Sequence, residues 1–141
     1  MSGLCYRFQV PGDDYSRAGE ASSTVKNRLK RLGVSPEAIR RVSIALYEGE
    51  INMVIHGGGG EVTVTVSPDR VDMVLEDHGK GIPDIEKAMQ EGYSTASEEA
   101  RSLGFGAGMG LPNMKKYTDD MHIDTEVGVG TTVTLTILNQ K

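Results

Sequence analysis

The sequence has no tryptophan, a single cysteine and few aromatic residues, 5% in all. A lone Cys5 excludes an intramolecular disulfide and a cysteine-built metal cluster, and it suits a reducing compartment. No apolar run approaches the ~20 residues needed to span a bilayer. The first residues, MSGLCYRFQV, lack the charged-then-apolar pattern of a secretion signal. A cytoplasmic protein without membrane contact is therefore expected. Basic side chains are outnumbered, 15 against 20 acidic, giving a formal net charge of −5. Nucleic-acid binders usually carry a basic face, so direct nucleic-acid binding is not expected. The densest basic run, Lys26 to Arg41, alternates with apolar residues. That pattern fits a solvated helix face, and it could equally dock an acidic partner. At 141 residues, 38% hydrophobic and 25% charged, residues 1–141 are expected to form one domain with a real core.

Periodicity places the elements. Leu4 to Val10 alternates as an edge strand does, and Pro11 to Asp14 reads as a turn. Ala18 to Leu32 predicts an amphipathic helix with Ala18, Ala21, Val25, Leu29 and Leu32 on one face, closed by Gly33. Ser35 as N-cap and Pro36 in the first turn open a second helix. Its core face runs Ile39, Val42, Leu46 and Met53, and it continues to His56. Gly49 falls in its middle, which suggests close approach of another backbone or of a ligand. Glu61 to Ser67, Val71 to Glu76, Met121 to Glu126 and Thr131 to Leu138 predict strands. Asp84 to Glu91 and Leu111 to Tyr117 predict short helices. Gly57 to Gly60 stops the long helix, and without a following Lys-Ser/Thr pair it is not a P-loop. Gly92 to Gly110 is too long and glycine-rich for a plain connection inside a compact domain.

Three stretches carry chemistry. On the second helix Glu48 and Asn52 share one face among apolar neighbours. Either this stripe is solvated or satisfied by loops, or it meets a magnesium ion carrying a nucleoside triphosphate. In the second case Asn52 offers the metal a neutral oxygen and Glu48 serves as general base. Asp77-x-Gly79-x-Gly81 follows a strand. It is either a plain turn or a carboxylate aimed at an exocyclic amine such as adenine N6. Gly104-Phe-Gly106-Ala-Gly108-Met-Gly110-Leu111 opens a helix. It is either a bare mobile lid or a set of backbone N–H groups suited to phosphate oxygens, and its spacing is not that of a Rossmann fingerprint.

In order along the chain, Glu48-x-x-x-Asn52, Asp77-x-Gly79-x-Gly81, Gly106-x-Gly108-x-Gly110-Leu111 and Gly128-x-Gly130-Thr131-Thr132 resemble the four boxes of the GHKL ATPase superfamily. Size and layout are most similar to its anti-sigma regulatory kinases. The resemblance implies an α+β Bergerat fold: a mixed, mostly antiparallel sheet with helices on one face and ATP or ADP between helix and lid. It implies Mg2+ on Asn52, adenine read by Asp77, and a base pocket shaped by Gly79 and Gly81. Gly104, Gly106, Gly108, Gly110 and Leu111 would line the phosphates, Thr131 would support Asp77, and Glu48 would be the base. Gly49 and Glu50 stand where the family usually has small and apolar residues.

Two functional classes follow. One is a serine/threonine protein kinase that phosphorylates and binds a regulatory partner, such as a sigma factor or an anti-sigma antagonist, with homodimerisation implied by the resemblance. The other is a nucleotide-dependent protein-binding module without phosphoryl transfer. Arg101, Lys115 and Lys116 could add positive charge near the phosphates or could be solvated surface charges. His56, His78 and His122 are expected to be structural.

Overall fold

A computed structural model describes residues 4–11, 19–55, 59–79, 110–126 and 128–139. In chain order the elements are β1 (Leu4–Pro11), α1 (Glu20–Arg31), α2 (Pro36–Ile55), β2 (Gly59–Val66), β3 (Arg70–Asp77), α3 (Gly110–Lys116), β4 (Asp120–Glu126) and β5 (Gly130–Leu138). Among the described residues five strands form one sheet in the order β1-β2-β3-β5-β4. All four pairings are antiparallel. The expected helix at Asp84 to Glu91, most of the Gly92 to Gly110 loop, and His56 lie outside the described residues.

Alternation makes the sheet one-sided. Val62, Val64, Val66, Val71, Met73, Leu75, Val133, Leu135 and Ile137 are buried on one face. The threonine-rich opposite face is only half-covered. There Asp72 accepts from Arg70 and from the Thr136 hydroxyl, each at 2.8 Å. The helix α2 lies across the buried face and inserts Val42, Ala45 and Leu46, all with no exposed surface. Val42 and Leu46 each contribute about 1.5–3 kcal/mol by leaving water, and the Ala45 methyl less. The helices α1 and α3 pack on α2. Among the described residues no helix is long and apolar enough to cross a membrane.

Helix boundaries follow the capping residues. Ser35 caps α2 by accepting the Ala38 N–H at 3.3 Å, with Pro36 as first helical residue. At the end of α1 the Val34 N–H reaches the Leu29 carbonyl and the Gly33 N–H the Lys30 carbonyl, each at 3.2 Å, a Schellman closure with Gly33 at φ +76°. Leu32 therefore departs from its expected core position: it caps the helix at 42% exposure. The buried face of α1 is instead Ala21, Ser22, Val25 and Leu29. The strand β2 also starts earlier than alternation suggests, because Gly59 and Gly60 pair with Pro11 and Val10.

Two residues of α2 fix how its neighbours sit. Gly49 is approached by the side chains of Leu75 and Met114, not by a backbone or a ligand as its mid-helix position suggested. Glu50 is buried at 2% exposure. The N-cap of α1, Gly19, has no side chain to cap with, and Glu50 takes over that task from a different helix. Its Oε2 accepts the Gly19 and Ala21 N–H groups at 3.0 and 3.1 Å, and its Oε1 accepts the Ser22 N–H at 3.1 Å. A negative charge at a helix N-terminus is also favoured by the helix dipole.

Glu50→Ala is expected to cost about 2–4 kcal/mol, because it leaves buried donors unpaired. Urea unfolding measures this, and a cost below about 0.5 kcal/mol, the range of ordinary surface substitutions, contradicts the capping role.

Candidate nucleotide site

The helix α2 ends over one end of the sheet. Gly49 sits against Leu75, and one turn later the Met53 side chain lies beside Gly60. Gly60, Asp77, Thr131 and Thr125 are successive partners across β2, β3, β5 and β4, so they form one rung at the sheet end. Because directly paired residues point to the same face, Asp77 and Thr131 face the helices. Glu48 and Asn52, both half-buried, are thus carried to the same end of the sheet as Asp77.

The rung holds Asp77 tightly on one oxygen. Its Oδ1 accepts the Gly79 N–H at 3.0 Å and the Thr131 N–H at 3.2 Å, while Oδ2 has no partner among the described residues. The Thr131 hydroxyl is buried and pairs with the Thr125 hydroxyl at 2.8 Å. Gly130, at φ +149°, lies so close to the Asp77 carbonyl and His78 that a Cβ would collide with backbone. A glycine is required for β5 to approach the Asp77 turn.

On α2, burial raises the Glu48 carboxyl above the ordinary glutamate range, and a hydrogen bond from the Asn113 side chain partly offsets this. Asn52 makes no side-chain hydrogen bond among the described residues. No group of three acidic, histidine or cysteine residues that could hold a metal forms among those residues. A single neutral amide oxygen fits magnesium, which keeps most of its shell as water and phosphate oxygens and takes one or two protein ligands.

An open groove of about 460 Å³ lies between α1 and α2, lined by Ser22, Lys26, Ser43 and Tyr47 among others, and it reaches Glu48. Glu48 therefore borders both this groove and α3.

Residues 13–137 match the histidine kinase-like ATPase domain family. The chain belongs to that family. It is 31% identical over 112 residues to the serine/threonine-protein kinase RsbT of Bacillus subtilis, covering 77% of this chain and 78% of that protein. It is 34% identical over 121 residues to the anti-sigma F factor of Thermoanaerobacter sp., covering 82% and 81%. Among solved structures it resembles the RsbU and RsbW domains of a Mycobacterium tuberculosis protein, with TM-score 0.63 and 16% identity, over 98% of this chain and 33% of that one. At that identity the last likeness speaks for the fold alone.

Within this histidine kinase-like ATPase domain, Glu48, Asn52, Asp77, Gly79 and Thr131 come to one end of the sheet. Gly110 and Leu111 begin α3, which packs on α2. Gly81, Gly104, Gly106, Gly108 and Arg101 lie outside the described residues. Lys115 and Lys116 are exposed in the last turn of α3, and Lys116 stacks on Tyr117. His78 and His122 are surface residues. Sequence reasoning missed Asn113, Glu50 and Thr125. Thr125 could have been found from the alternation of β4, which puts it on the face of Met121 and Ile123. Nothing local marks the other two.

A raised carboxyl keeps its proton in the folded chain over a pH range where the unfolded chain has released it. That contribution to stability is full below the ordinary glutamate value and is lost as pH rises through the raised value. Glu48→Gln removes the loss. Its melting temperature should exceed the parent's at pH 7, with the gap closing at about pH 4, where both forms are uncharged. Calorimetry across that range reads the effect, and a gap that does not change with pH contradicts it.

Proposed function

We propose that this protein binds Mg–ATP and transfers the γ-phosphoryl group to a serine or threonine of a regulatory partner that it also binds, in the manner of an anti-sigma kinase. The observation that carries the reading is the placement of Glu48, whose carboxyl is raised by burial. It lies one helical turn from Asn52, whose side chain has no partner among the described residues, and at the same sheet end as Asp77. The names of the relatives, a serine/threonine-protein kinase and an anti-sigma F factor, support it.

In this reading Asp77 Oδ2 accepts a hydrogen bond from the adenine amine, while the Thr131 and Gly79 N–H groups hold Oδ1. Gly79 and Gly81 would shape the base pocket, and Gly104, Gly106, Gly108, Gly110 and Leu111 would offer backbone N–H groups to the phosphates. The side-chain oxygen of Asn52 would hold magnesium, which neutralises charge on the phosphate oxygens. Glu48 takes the proton of the partner's hydroxyl as that oxygen bonds to phosphorus and the bond to the β-phosphate oxygen breaks, releasing ADP. A raised pKa makes Glu48 a better proton acceptor than an exposed glutamate. The groove between α1 and α2 gives the partner's hydroxyl a route to this carboxylate. A cytoplasmic location, a homodimer and a sigma factor or anti-sigma antagonist as partner belong to the same reading.

The test is a pull-down with ATP and then ADP, followed by mass spectrometry of the recovered proteins for phosphoserine and phosphothreonine. Glu48→Gln should keep ADP affinity within about threefold and lower transfer at least about 100-fold. Transfer at the parent rate would remove Glu48 as base, and no phosphorylated partner would leave a binding module. Asp77→Asn places a donor against the adenine amine and should weaken ADP binding about 10- to 100-fold by calorimetry. Unchanged affinity would place the base elsewhere.

A further inference from the structure

We propose that the groove between α1 and α2 docks an acidic segment of the partner protein, with Lys26 and Lys30 as the residues that select it and with its hydroxyl-bearing residue at Glu48. The inference rests on the reading of Glu48 as general base and adds to it the chemistry of the partner. The groove is open, about 460 Å³, and it holds Lys26 from α1 and Glu48 from α2. Its apolar surface comes from Ile44 and from Tyr47, which is 39% exposed.

Charge along α1 is of one sign. No acidic residue stands between Glu20 and Glu37, whereas Lys26, Arg28, Lys30 and Arg31 do. Helical spacing sorts the four. Lys30 is four residues on from Lys26, so it continues the groove side by one turn, about 6 Å. Arg28 turns to the other flank, 5.1 Å from the centre of the Tyr6 ring, and Arg31 falls about 140° round the helix from Lys26. Lys26 and Lys30 are exposed, and neither has an acidic partner among the described residues. Arg40, on α2, already has Glu37 at 3.6 Å and the Tyr117 ring at 5.5 Å.

The layout orients the occupant. The start of α1 meets Glu50, and its end leads into the start of α2, so the two helices run in opposite directions. Moving from Lys26 to Lys30 therefore leads away from Glu48. Carboxylates are drawn to the lysine end and repelled from Glu48, which leaves an uncharged hydroxyl residue at the base. An extended chain advances about 3.3 Å per residue, so acidic residues at alternate positions match the two lysines. A second copy also offers acidic groups, Asp120, Asp124 and Glu126 on the exposed side of β4. Contact between two different surfaces of one chain makes rings or open filaments, however, and gives Glu48 no part.

The test is an NMR shift titration of the full chain with two serine-containing peptides of equal length. One carries glutamates at alternate positions and the other lysines in their place. The glutamate peptide should shift the amides of Ser23, Lys26, Ile44 and Tyr47, and the lysine peptide should not. Lys26→Glu and Lys30→Glu should each weaken the glutamate peptide about 3- to 10-fold, and together about 10- to 100-fold with preference turned to the lysine peptide. Arg31→Glu, the same charge change off the groove, should stay within about twofold. Thermal melting confirms that each variant folds, and ADP affinity by calorimetry should stay within about threefold. Equal shifts from both peptides, no shifts from either, or shifts away from the groove overturn the proposal. So does an Arg31→Glu loss as large as that of Lys26→Glu, which makes the attraction diffuse. Self-association of the parent in sedimentation that the paired lysine variant abolishes makes the occupant a second copy and overturns it too. The base reading is judged apart: Glu48→Gln should keep the glutamate peptide and lose transfer from Mg–ATP to its serine. Transfer at the parent rate in that variant, or none in the parent, counts against Glu48 as base, while the shifts still decide the docking.

Discussion

Three successive residues, Glu48, Gly49 and Glu50, fasten the rest of the domain to its central helix. Successive residues of an α-helix point about 100° apart, so a tripeptide can address three different neighbours. Glu48 borders the groove between α1 and α2, Gly49 receives Leu75 of the sheet together with Met114 of α3, and Glu50 caps α1. The positions of both flanking helices are thus set within one turn of α2, and that turn also carries the residue proposed to take the proton.

The two carboxylates of that turn have opposite fates for one physical reason. A buried charge is tolerated only where donors replace the water it loses. Glu50 has three backbone N–H groups on it, and α1 gains the cap that Gly19 cannot supply. Glu48 is covered without equal compensation, so its carboxyl is driven upward. A fold that gave Glu48 the partners of Glu50 would be more stable and would hold a weaker base. Tension of this kind between stability and activity is a recurrent feature of functional sites.

At the sheet end the constraint is steric. Asp77 can be gripped by the Thr131 N–H only if β5 comes close, and Gly130 makes that approach possible. Asp72 shares the strand and the residue type but faces the opposite side, where it pairs with Arg70 and Thr136. Alternation along β3 therefore decides which of the two aspartates can serve a ligand.

Much of this was legible in the chain. The strands, the Gly33 closure and the Ser35 cap follow from local rules of periodicity and capping. The spacing of Glu48 and Asn52 on one helix face, and the DxG turn, marked the candidate site. Local signals act over a few residues, so they could not say that Leu32 would be left outside the core, or that Gly49 makes room for side chains. Nor could they say that Glu50 would cap a helix some thirty positions earlier. The sequence alone determined which segments are helix or strand and which residue types could do chemistry, because those depend on neighbours along the chain. Only the tertiary structure decided which carboxylate is satisfied and which is left short of donors, because that depends on segments far away in sequence.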